Sequence, residues 1–280
     1  MLNLKKIYFP EKLSDFKKVF KKSSYVMSGF TYSFKSVEKN NDISEIIVVD
    51  QLPLRYIKEK GEYICVGSLS TFDDLENNQL CKKYFGGFIS YAASRCSSQL
   101  IRNMATIGGN IYHMNSFNIM PIVIKTLDAK IKVYDFKKEF LVSSNDFFNL
   151  KKPFFIIEII FPLKYKNSVF YFEKISNTYS SWQSYITFSF RGYIDKEIIK
   201  DIKLVFGGIS AIPYNDSETE KSILNKKLDS KIIDEFAKKY SENIYNINPS
   251  HKYSEYRRDV SYNVIKEFLN TLKRRSYANS

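Results

Sequence analysis

Two of the chain's ten glycines stand side by side in the stretch Thr-Ile-Gly-Gly-Asn at positions 106–110. Because glycine lacks a Cβ, such a pair lets the backbone adopt a positive φ and lets another molecule approach the N–H groups. Consecutive N–H groups around Ile107, Gly108 and Gly109 can form a concave set of donors for a pyrophosphate. Thr106 and Asn110 offer side-chain donors at its rim. This stretch, called the glycine loop below, predicts either a tight turn between core elements or a phosphate-binding site.

Length and composition predict a folded protein of about two domains. The chain has 280 residues, of which 44% are hydrophobic and 26% are charged, as in ordinary globular proteins. The net charge of +13 would suit a nucleic-acid partner, but the lysines are dispersed in pairs and form no basic helix or patch. We therefore predict that the chain binds no nucleic acid.

Three cysteines without C-x-x-C spacing argue against a disulfide scaffold and against a zinc or iron–sulfur site built from this chain alone. Free thiols suit a reducing compartment, no apolar run is long enough to span a bilayer, and no signal-peptide pattern is visible. We expect a cytoplasmic protein with no membrane segment and no metal ligands. No nucleophile–base motif is visible either, so we predict no catalytic side chain, and any enzymatic chemistry would come from a cofactor.

Apolar patterns predict strands and helices in the first part of the chain. The segments predicted as buried strands, or as a helix that turns into a strand, are 44–50, 61–68, 118–135 and 153–162. Thr71 and Asp74 have the spacing of a capping box at a helix start. Apolar residues at helical spacing predict one helix over 81–95, in which Gly86 and Gly87 indicate close packing.

The hydrophobic pattern of the sequence changes near 164–167, where we place a domain boundary. Beyond it, alternating patterns predict three antiparallel strands, which are followed by helices. The last helix sets Tyr256, Val260, Val264 and Phe268 four residues apart, on a face that is expected to pack against the core.

The glycine loop belongs to a longer pattern that is recognisable. Ile-Arg-Asn-Met-Ala-Thr-Ile-Gly-Gly-Asn stands at 101–110, and Leu-Asp-Ala follows at 127–129. Together with the segments at 63–77, 202–210 and 254–269, this order and spacing resemble the flavin-binding subunits of the molybdenum hydroxylases. That family includes xanthine dehydrogenase and carbon monoxide dehydrogenase. The resemblance runs through nearly the whole chain.

The resemblance implies an α+β fold in two parts. The first is a PCMH-type FAD-binding domain over 1–165, made of two subdomains that divide near 55–60. The second is a small α+β C-terminal domain over 166–280, with an antiparallel three-stranded sheet and helices. This second domain resembles the C-terminal domain of the carbon monoxide dehydrogenase flavoprotein.

The resemblance also implies an FAD site built from two loops. The first loop is Met27–Tyr32, and the second is the glycine loop. The residues that the resemblance assigns to FAD are Met27, Ser28, Gly29, Phe30, Thr31, Tyr32, Thr106, Ile107, Gly108, Gly109, Asn110, His113, Ile157 and Lys174.

Several of these positions depart from the family's pattern. The first loop usually reads Ala-Gly-Gly-Thr-Asp-Leu, whereas here Ser28 replaces a glycine and Phe30 replaces the threonine. Restoring both residues is expected to tighten FAD binding. His113 and Ile119 stand where the family has a threonine or asparagine and then an aspartate near the ribose and adenine. Lys174 is kept, but the Ser-Arg-Arg that usually follows it has become Ser-Asn-Thr.

Two functions from different classes follow from the resemblance. The first is a flavoprotein subunit of a xanthine dehydrogenase-like oxidoreductase, which passes electrons from iron–sulfur clusters through FAD to NAD or another acceptor. Because this chain lacks ligands for clusters and room for a molybdopterin domain, both groups are expected in partner subunits. The alternative is a degenerate homologue that has lost FAD and acts as a structural or assembly subunit. A third function, binding of an anion or a nucleic acid, rests on the net charge alone.

Single residues outside the two loops also have structural interpretations. Arg102 is expected to hold loop carbonyls rather than a substrate. Without the resemblance, His113 and His251, the only two histidines, are typical of hydrogen-bonded structural residues. The residues predicted to serve folding, the core or subunit packing are Trp182, Tyr256, Arg257 and Arg258.

Overall fold

Three β-sheets and their helices form the part of the chain that the computed structural model describes, residues 5–32, 43–181 and 183–278. This mixture confirms the predicted α+β class. Within these ranges, no helix has both the length and the apolar character that a membrane span requires. Trp182, predicted to lie in the core, falls outside the described residues.

The first sheet is small and parallel. Its strand order is β1-β3-β2, so the outer strands β1 and β2 both pair in parallel with β3, and helix α1 lies in the connection between β1 and β2. Phe16 of α1 is fully buried and stacks on Phe20 with ring centroids 4.9 Å apart. The elements are β1 (Lys6–Tyr8), α1 (Leu13–Val19), β2 (Tyr25–Met27) and β3 (Glu45–Val48).

The second sheet has five antiparallel strands in the order β4-β5-β8-β6-β7. It confirms the strands predicted at 61–68 and 153–162. One face shares a core with the first sheet, in which Ile47, Leu52, Tyr134 and Phe155 pack together. The first sheet and α1 therefore pack against that face of the second sheet. The strands are β4 (Ile57–Lys60), β5 (Tyr63–Gly67), β6 (Lys130–Tyr134), β7 (Glu139–Ser143) and β8 (Phe155–Pro162).

Short helices between β5 and β6 cover the other face of the second sheet. The predicted capping box is confirmed: the N–H of Asp74 donates to Thr71 Oγ1 at 3.1 Å, and the N–H of Thr71 donates to Asp74 Oδ2 at 2.8 Å. The helices are α2 (Phe72–Asn77), α3 (Gln79–Lys83), α4 (Phe88–Ser94), α5 (Gln99–Arg102), α6 (Ile107–Tyr112) and α7 (Ile119–Thr126).

The prediction of a single helix over 81–95 is wrong. The chain breaks at Phe85, Gly86 and Gly87, whose φ angles are +56°, +61° and +78°. Glycine adopts this left-handed conformation without a steric penalty. The close packing expected at this pair is also wrong, because a Cβ on Gly86 would have no heavy atom within 4 Å.

The third sheet confirms the three antiparallel strands predicted in the second part of the chain. Its order is β11-β10-β9, and the helices that follow cover one face. Arg191 of β10 ties this sheet to the α7–β6 turn, because its guanidinium lies between Asp128 (3.1 Å) and Asp201 (2.6 Å). The elements are β9 (Val169–Ile175), β10 (Ile186–Asp195), β11 (Ile198–Gly207), α8 (Ser217–Ile223), α9 (Ser230–Ile247) and α10 (Ser254–Ala278). The boundary between 165 and 166 stays a prediction.

The buried face of α10 differs from the predicted one. Phe268 is buried as predicted, but Tyr256 is 42% exposed and Val260 and Val264 are only half-buried. Arg257, Ser261 and Ile265 also face the core. Arg257 takes this place because it donates to two backbone carbonyls, those of Tyr185 at 2.9 Å and Gly208 at 2.6 Å. The periodicity of the apolar residues does not reveal this face of α10, because a buried arginine occupies one position of the face.

Candidate functional site

The first loop follows strand β2 and is held by a carboxylate. Ser28 Oγ donates to Asp50 Oδ1 at 2.7 Å, and the N–H of Gly29 approaches the same oxygen at 3.3 Å. Gly29 and Phe30 both have positive φ angles, +60° and +53°. Met27 is buried at the start of the loop, whereas Phe30, Thr31 and Tyr32 are exposed. Asp50 thus fixes the turn that presents the last three residues to solvent.

The structure brings the first loop and the glycine loop together. A Cβ on Gly29 would lie 2.0 Å from the carbonyl oxygen of Met104, so the two backbones touch at a point that only glycine permits. At the other end, the rings of Tyr32 and His113 lie with their centroids 4.2 Å apart. These two contacts define a seam between the loops, which we call the loop seam.

The glycine loop is the first turn of helix α6 rather than an open donor set. The N–H groups of Ile107 and Gly108 donate to the carbonyls of Ser70 and Ser68, each at 2.9 Å. The N–H of Gly109 donates to Thr106 Oγ1 at 3.2 Å, so Thr106 is the N-cap. The predicted free donor set is therefore wrong, because these three amides bind protein acceptors. The expected positive φ at the glycine pair is also wrong, since both residues are helical.

The two glycines of the pair serve different purposes. A Cβ on Gly108 would lie 2.8 Å from both Cβ and O of Ser68, so this glycine allows α6 to pack on the end of β5. A Cβ on Gly109 would meet only Thr106 Oγ1, at 3.1 Å, outside its own helix. Gly109 is half-buried. The open side of the glycine loop is therefore the side of Gly109.

Asn110 joins the glycine loop to the next helix. Its Oδ1 accepts from the N–H of Met120 at 3.1 Å, and its carbonyl accepts from Asn118 Nδ2 at 2.6 Å. Ile119, at the position where the family has an aspartate, is 3% exposed and packs in the core. Asn110 is thus engaged in placing α7, and Ile119 does not face the loop seam.

His113 ends helix α6 and is half-buried beside aromatic and basic side chains. Burial, together with the nearby ammonium of Lys152, lowers the pKa of His113 to about 4. Tyr112 lies edge-on to His113 with ring centroids 6.0 Å apart, and the Lys152 Nζ lies 4.4 Å from the Tyr112 ring centroid. The imidazole is therefore neutral at pH 7 and presents an aromatic rather than a charged surface.

Two of the residues assigned to FAD lie away from the loop seam. Ile157 is 4% exposed in the core between the first two sheets, and its carbonyl accepts from the N–H of Ser68 at 3.0 Å. Lys174 is 4% exposed on β9, where its Nζ donates to the carbonyls of Ser181 and Arg95. Burial lowers the pKa of Lys174. Ile157 supports the glycine loop from beneath, and Lys174 occupies the junction with the third sheet.

Arg95 shares this junction with Lys174. Its guanidinium lies 3.1 Å from the Glu173 carboxylate and 4.2 Å from the ring centroid of Tyr179. Arg102 binds the carbonyl of Ser97 at 3.1 Å and the carboxylate of Glu76 at 2.8 Å. The prediction that Arg102 holds carbonyls of the glycine loop is therefore wrong, because the carbonyls that it binds precede α5.

The sequence analysis missed Asp50 and Met104, which fix the first loop. Asp50 lies just beyond the end of strand β3 (Glu45–Val48), and a carboxylate near a strand end is a signal that could have indicated a loop anchor. Met104 contributes only its carbonyl oxygen, which no side-chain pattern reveals. Over residues 5–32, 43–181 and 183–278, no group of three His, Cys, Asp or Glu side chains is placed to hold a metal ion.

One side of the loop seam stays accessible to an extended ligand. Gly109 leaves that side open, and Thr31 and Tyr32 border it with exposed side chains. The amides of Ile107–Gly109 do not supply phosphate donors in this arrangement, because protein acceptors already take them. Such a ligand would therefore rest on the first loop, on Gly109 and on His113.

Residues 3–164 match the family described as the FAD binding domain in molybdopterin dehydrogenase, and residues 171–272 match the carbon monoxide dehydrogenase flavoprotein C-terminal domain. The chain is 27% identical over 217 residues to the glyceraldehyde dehydrogenase medium chain of Sulfolobus acidocaldarius, an alignment that covers 74% of this chain and 75% of that one.

Solved structures share the fold over nearly the whole chain. A carbon monoxide dehydrogenase from Hydrogenophaga pseudoflava contains a chain with a TM-score of 0.84 and 16% identity, covering 95% of this chain and 96% of that chain. Quinoline 2-oxidoreductase from Pseudomonas putida 86 gives a TM-score of 0.84 with 13% identity, covering 98% of both chains. The match over residues 3–164 spans more than half of the sequence. The chain therefore belongs to the family of FAD-binding domains of molybdopterin dehydrogenases, whose cofactor is FAD.

Proposed function

We propose that this chain binds FAD along the loop seam and works as the flavoprotein subunit of a molybdenum-hydroxylase-type oxidoreductase. The observation that carries the proposal is the contact between the two loops, in which Gly29 lies against the backbone of Met104. Two loops far apart in the sequence meet through bare backbone in a chain that belongs to an FAD-binding family. A contact that excludes any side chain suits a surface built to receive an extended ligand.

This chain's residues position the cofactor and shield it from water. The residues proposed to form the FAD site are those of the first loop (Met27, Ser28, Gly29, Phe30, Thr31 and Tyr32), those of the glycine loop (Thr106, Ile107, Gly108, Gly109 and Asn110), and His113, Ile157 and Lys174. The buried residues of this set would shape the site, and the exposed or half-buried ones would contact the cofactor. Bound FAD supplies redox chemistry through its isoalloxazine ring. Buried Lys174 places positive charge at the junction with the third sheet, where it would favour a ligand that gains negative charge.

Partner subunits complete the proposed enzyme. Electrons would arrive from iron–sulfur clusters in one partner, and a molybdopterin partner would oxidise the substrate, as the family resemblance implies. NAD or another acceptor would receive the electrons, as in a xanthine dehydrogenase-like enzyme. The Sulfolobus relative is named a medium chain, which suits a role as one subunit among several. The three free cysteines suit a cytoplasmic complex.

Affinity purification of the tagged chain from its native cells tests this function. We expect an iron–sulfur polypeptide and a molybdopterin polypeptide to co-purify, and the complex to oxidise an organic substrate. The separated chain should oxidise no such substrate. A lone monomer or homodimer that oxidises an organic substrate unaided would overturn the proposal, because the chemistry would then reside in side chains of this chain.

The alternative function is that of a homologue that has lost FAD and serves as a structural or assembly subunit. The specific observation in its favour is that Ile107, Gly108 and Gly109 already donate their N–H groups to protein acceptors. The departures from the family's first-loop pattern at Ser28 and Phe30 also favour a homologue that has lost FAD. The two functions differ in one measurable property: only the first requires the purified chain to take up FAD.

A further inference from the structure

Strand β9 forms an open edge of the third sheet. The opposite edge strand, β11, is covered by isolated bridges from Tyr214 and Lys227. In the part of the chain that the structure describes, no comparable bridge reaches β9. Its end is engaged at Lys174, whose carbonyl accepts from the Arg95 guanidinium at 3.4 Å. The backbone groups of 169–173 that point away from β10 therefore face a sheet edge without a neighbouring strand.

A cleft of about 330 Å³, called the β9 cleft below, runs along this edge. Four consecutive strand residues, Phe170–Glu173, line it, although their side chains alternate between the two faces of the sheet. The cleft therefore follows the backbone of β9 rather than one face. Its opposite wall comes from the turn before α4 and from α4 itself, and consists of Phe85, Gly86, Phe88 and Tyr91.

Aromatic rings line the β9 cleft. The ring centroids of Phe88 and Phe170 lie 4.9 Å apart, and Tyr91, which is 48% exposed, lies edge-on to Phe172. Edge strand β4 of the second sheet differs, because it reads Ile-Lys-Glu-Lys and charged residues guard a sheet edge against pairing. An apolar edge without such guards favours pairing with another strand. The β9 cleft thus fits an extended segment that presents apolar side chains to these rings.

One end of the β9 cleft carries an available positive charge. Arg275, near the end of α10, is exposed and borders the cleft, and Lys273 and Arg274 directly precede it. Glu173 also borders the cleft, but its carboxylate already pairs with Arg95 at 3.1 Å. A carboxylate on the incoming segment would therefore complement Arg275.

We propose that the β9 cleft is a docking site for a partner subunit, whose extended apolar segment adds a strand to the third sheet and sets a carboxylate beside Arg275. Strand addition draws affinity from main-chain hydrogen bonds and specificity from alternate side chains. The inference rests on the proposed function, because it requires the complex. A second copy of this chain is a poorer occupant, since the one carboxylate of its β9, on Glu173, is already paired with Arg95.

Hydrogen–deuterium exchange on the complex tests this docking site. The tagged full chain is purified from native cells with its partner subunits, and amide exchange over 168–173 is compared between the complex and the separated chain, both saturated with FAD. Two variants obstruct the cleft: Gly86→Asn adds a side chain to its wall, and Arg275→Glu reverses the charge at its end. Gly86 has a φ of +61° and open space at its Cβ position, and asparagine tolerates this conformation, so the fold should be kept.

Each variant has a matched control. Gly61→Asn lies in the β4–β5 turn at a φ of +57°, also with open space at its Cβ position, and Arg274→Glu makes the same charge reversal one residue away. We expect the wild-type complex to slow exchange over 168–173 by about tenfold or more. Both cleft variants should raise the dissociation constant of the complex by about tenfold, whereas the controls should match the wild type. The separated chain should bind FAD equally well in all four variants.

Two results would overturn the docking site while the partners still co-purify. Exchange over 168–173 could be as fast in the complex as in the separated chain, or the cleft variants could bind the partners as tightly as their controls do. Self-association of the separated chain with the same protection would also overturn it, because a second copy would then fill the cleft. A chain that co-purifies with no partner would contradict the proposed function as well, so the two failures are distinguishable.

Discussion

Gly29 and Met104 touch through bare backbone: a Cβ on Gly29 would lie only 2.0 Å from the Met104 carbonyl oxygen. With a φ of +60°, residue 29 also adopts a conformation that disfavours every residue with a side chain. The contact joins the two loops that the FAD-binding family uses, so a single position governs whether the loop seam forms. Several measurable consequences depend on this arrangement.

Gly29→Ala should lower both stability and FAD affinity. The left-handed φ and the clash with Met104 together should reduce the free energy of unfolding by about 3 kcal/mol. Urea unfolding measures this change, and fluorescence titration measures the affinity for FAD. Gly61→Ala is the matched control, because Gly61 has a φ of +57° but no heavy atom within 4 Å of its Cβ position. The control should lose about 1 kcal/mol and keep its FAD affinity, and equal losses in both variants would refute a role for the contact.

The adjacent glycines of the glycine loop should respond differently to substitution. Gly108→Ala forces a Cβ against Ser68 and should destabilise the fold by about 1–3 kcal/mol. Gly109→Val places its side chain on the open side of α6, so the fold should be stable to within about 1 kcal/mol. FAD affinity should nevertheless fall by about tenfold or more, the equivalent of about 1.4 kcal/mol. FAD retained by Gly109→Val at full stoichiometry would mean that the glycine loop is only a structural turn.

Phe30 is a strained position in the first loop. Its φ is +53° and its side chain is 40% exposed, so Phe30→Gly relieves strain at little cost in buried surface and should stabilise the chain by about 1 kcal/mol. The family's threonine is β-branched and is particularly unfavourable at this φ. We therefore expect glycine, rather than the threonine favoured by the sequence pattern, to tighten FAD binding. Parallel unfolding and FAD titrations of Phe30→Gly and Phe30→Thr decide this point, and a more stable, tighter-binding threonine variant would contradict it.

Glu220 should make stability depend on pH. Burial raises its pKa to about 7 from its ordinary value of 4.5, although its Oε1 accepts from the N–H of Leu204 at 2.7 Å. Because the folded state holds the proton more tightly than the unfolded state, this stabilisation is complete below pH 4.5 and is lost as pH rises through 7. The loss should be on the order of 3 kcal/mol.

Glu220→Gln should remove this pH dependence, since an amide keeps the acceptor but does not ionise. Urea unfolding at several pH values between 4 and about 8, the window set by the two pKa values, measures the effect. Glu218→Gln, a change on the exposed side of the same helix, is the control and should leave the profile unchanged. A Glu220→Gln profile as steep as that of the wild type would rule out this carboxyl as the source.

The sequence predicted those elements whose signal is local. Thr71 and Asp74 formed the expected capping box, and the three antiparallel strands beyond β8 were correctly placed, because capping and alternation depend on neighbours in the chain. The donor set predicted from the glycine pair was wrong, because the amides of Ile107 and Gly108 donate to carbonyls just after β5, about forty positions upstream. Only tertiary structure shows which acceptor reaches an amide first.

The family pattern pointed to the two loops but not to the contacts between them. The family pattern gave Gly29 and His113 as cofactor residues, and the structure places both on the loop seam through Met104 and Tyr32. Their assignment to FAD stays a prediction. Asp50 was missed, because its role comes from the turn it anchors and not from any spacing. The break at Gly86 was missed because two glycines in an apolar helical pattern indicate packing and left-handed turns equally well.

The absorption spectrum and FAD stoichiometry of the purified chain test the central claim most directly. Protein incubated with FAD and then freed of unbound cofactor should show flavin absorption at one FAD per chain, released on denaturation. Gly61→Ala should behave in the same way, while Gly29→Ala should lose the flavin. A colourless wild-type protein that takes up no added FAD would contradict the account and favour a structural subunit that has lost its cofactor.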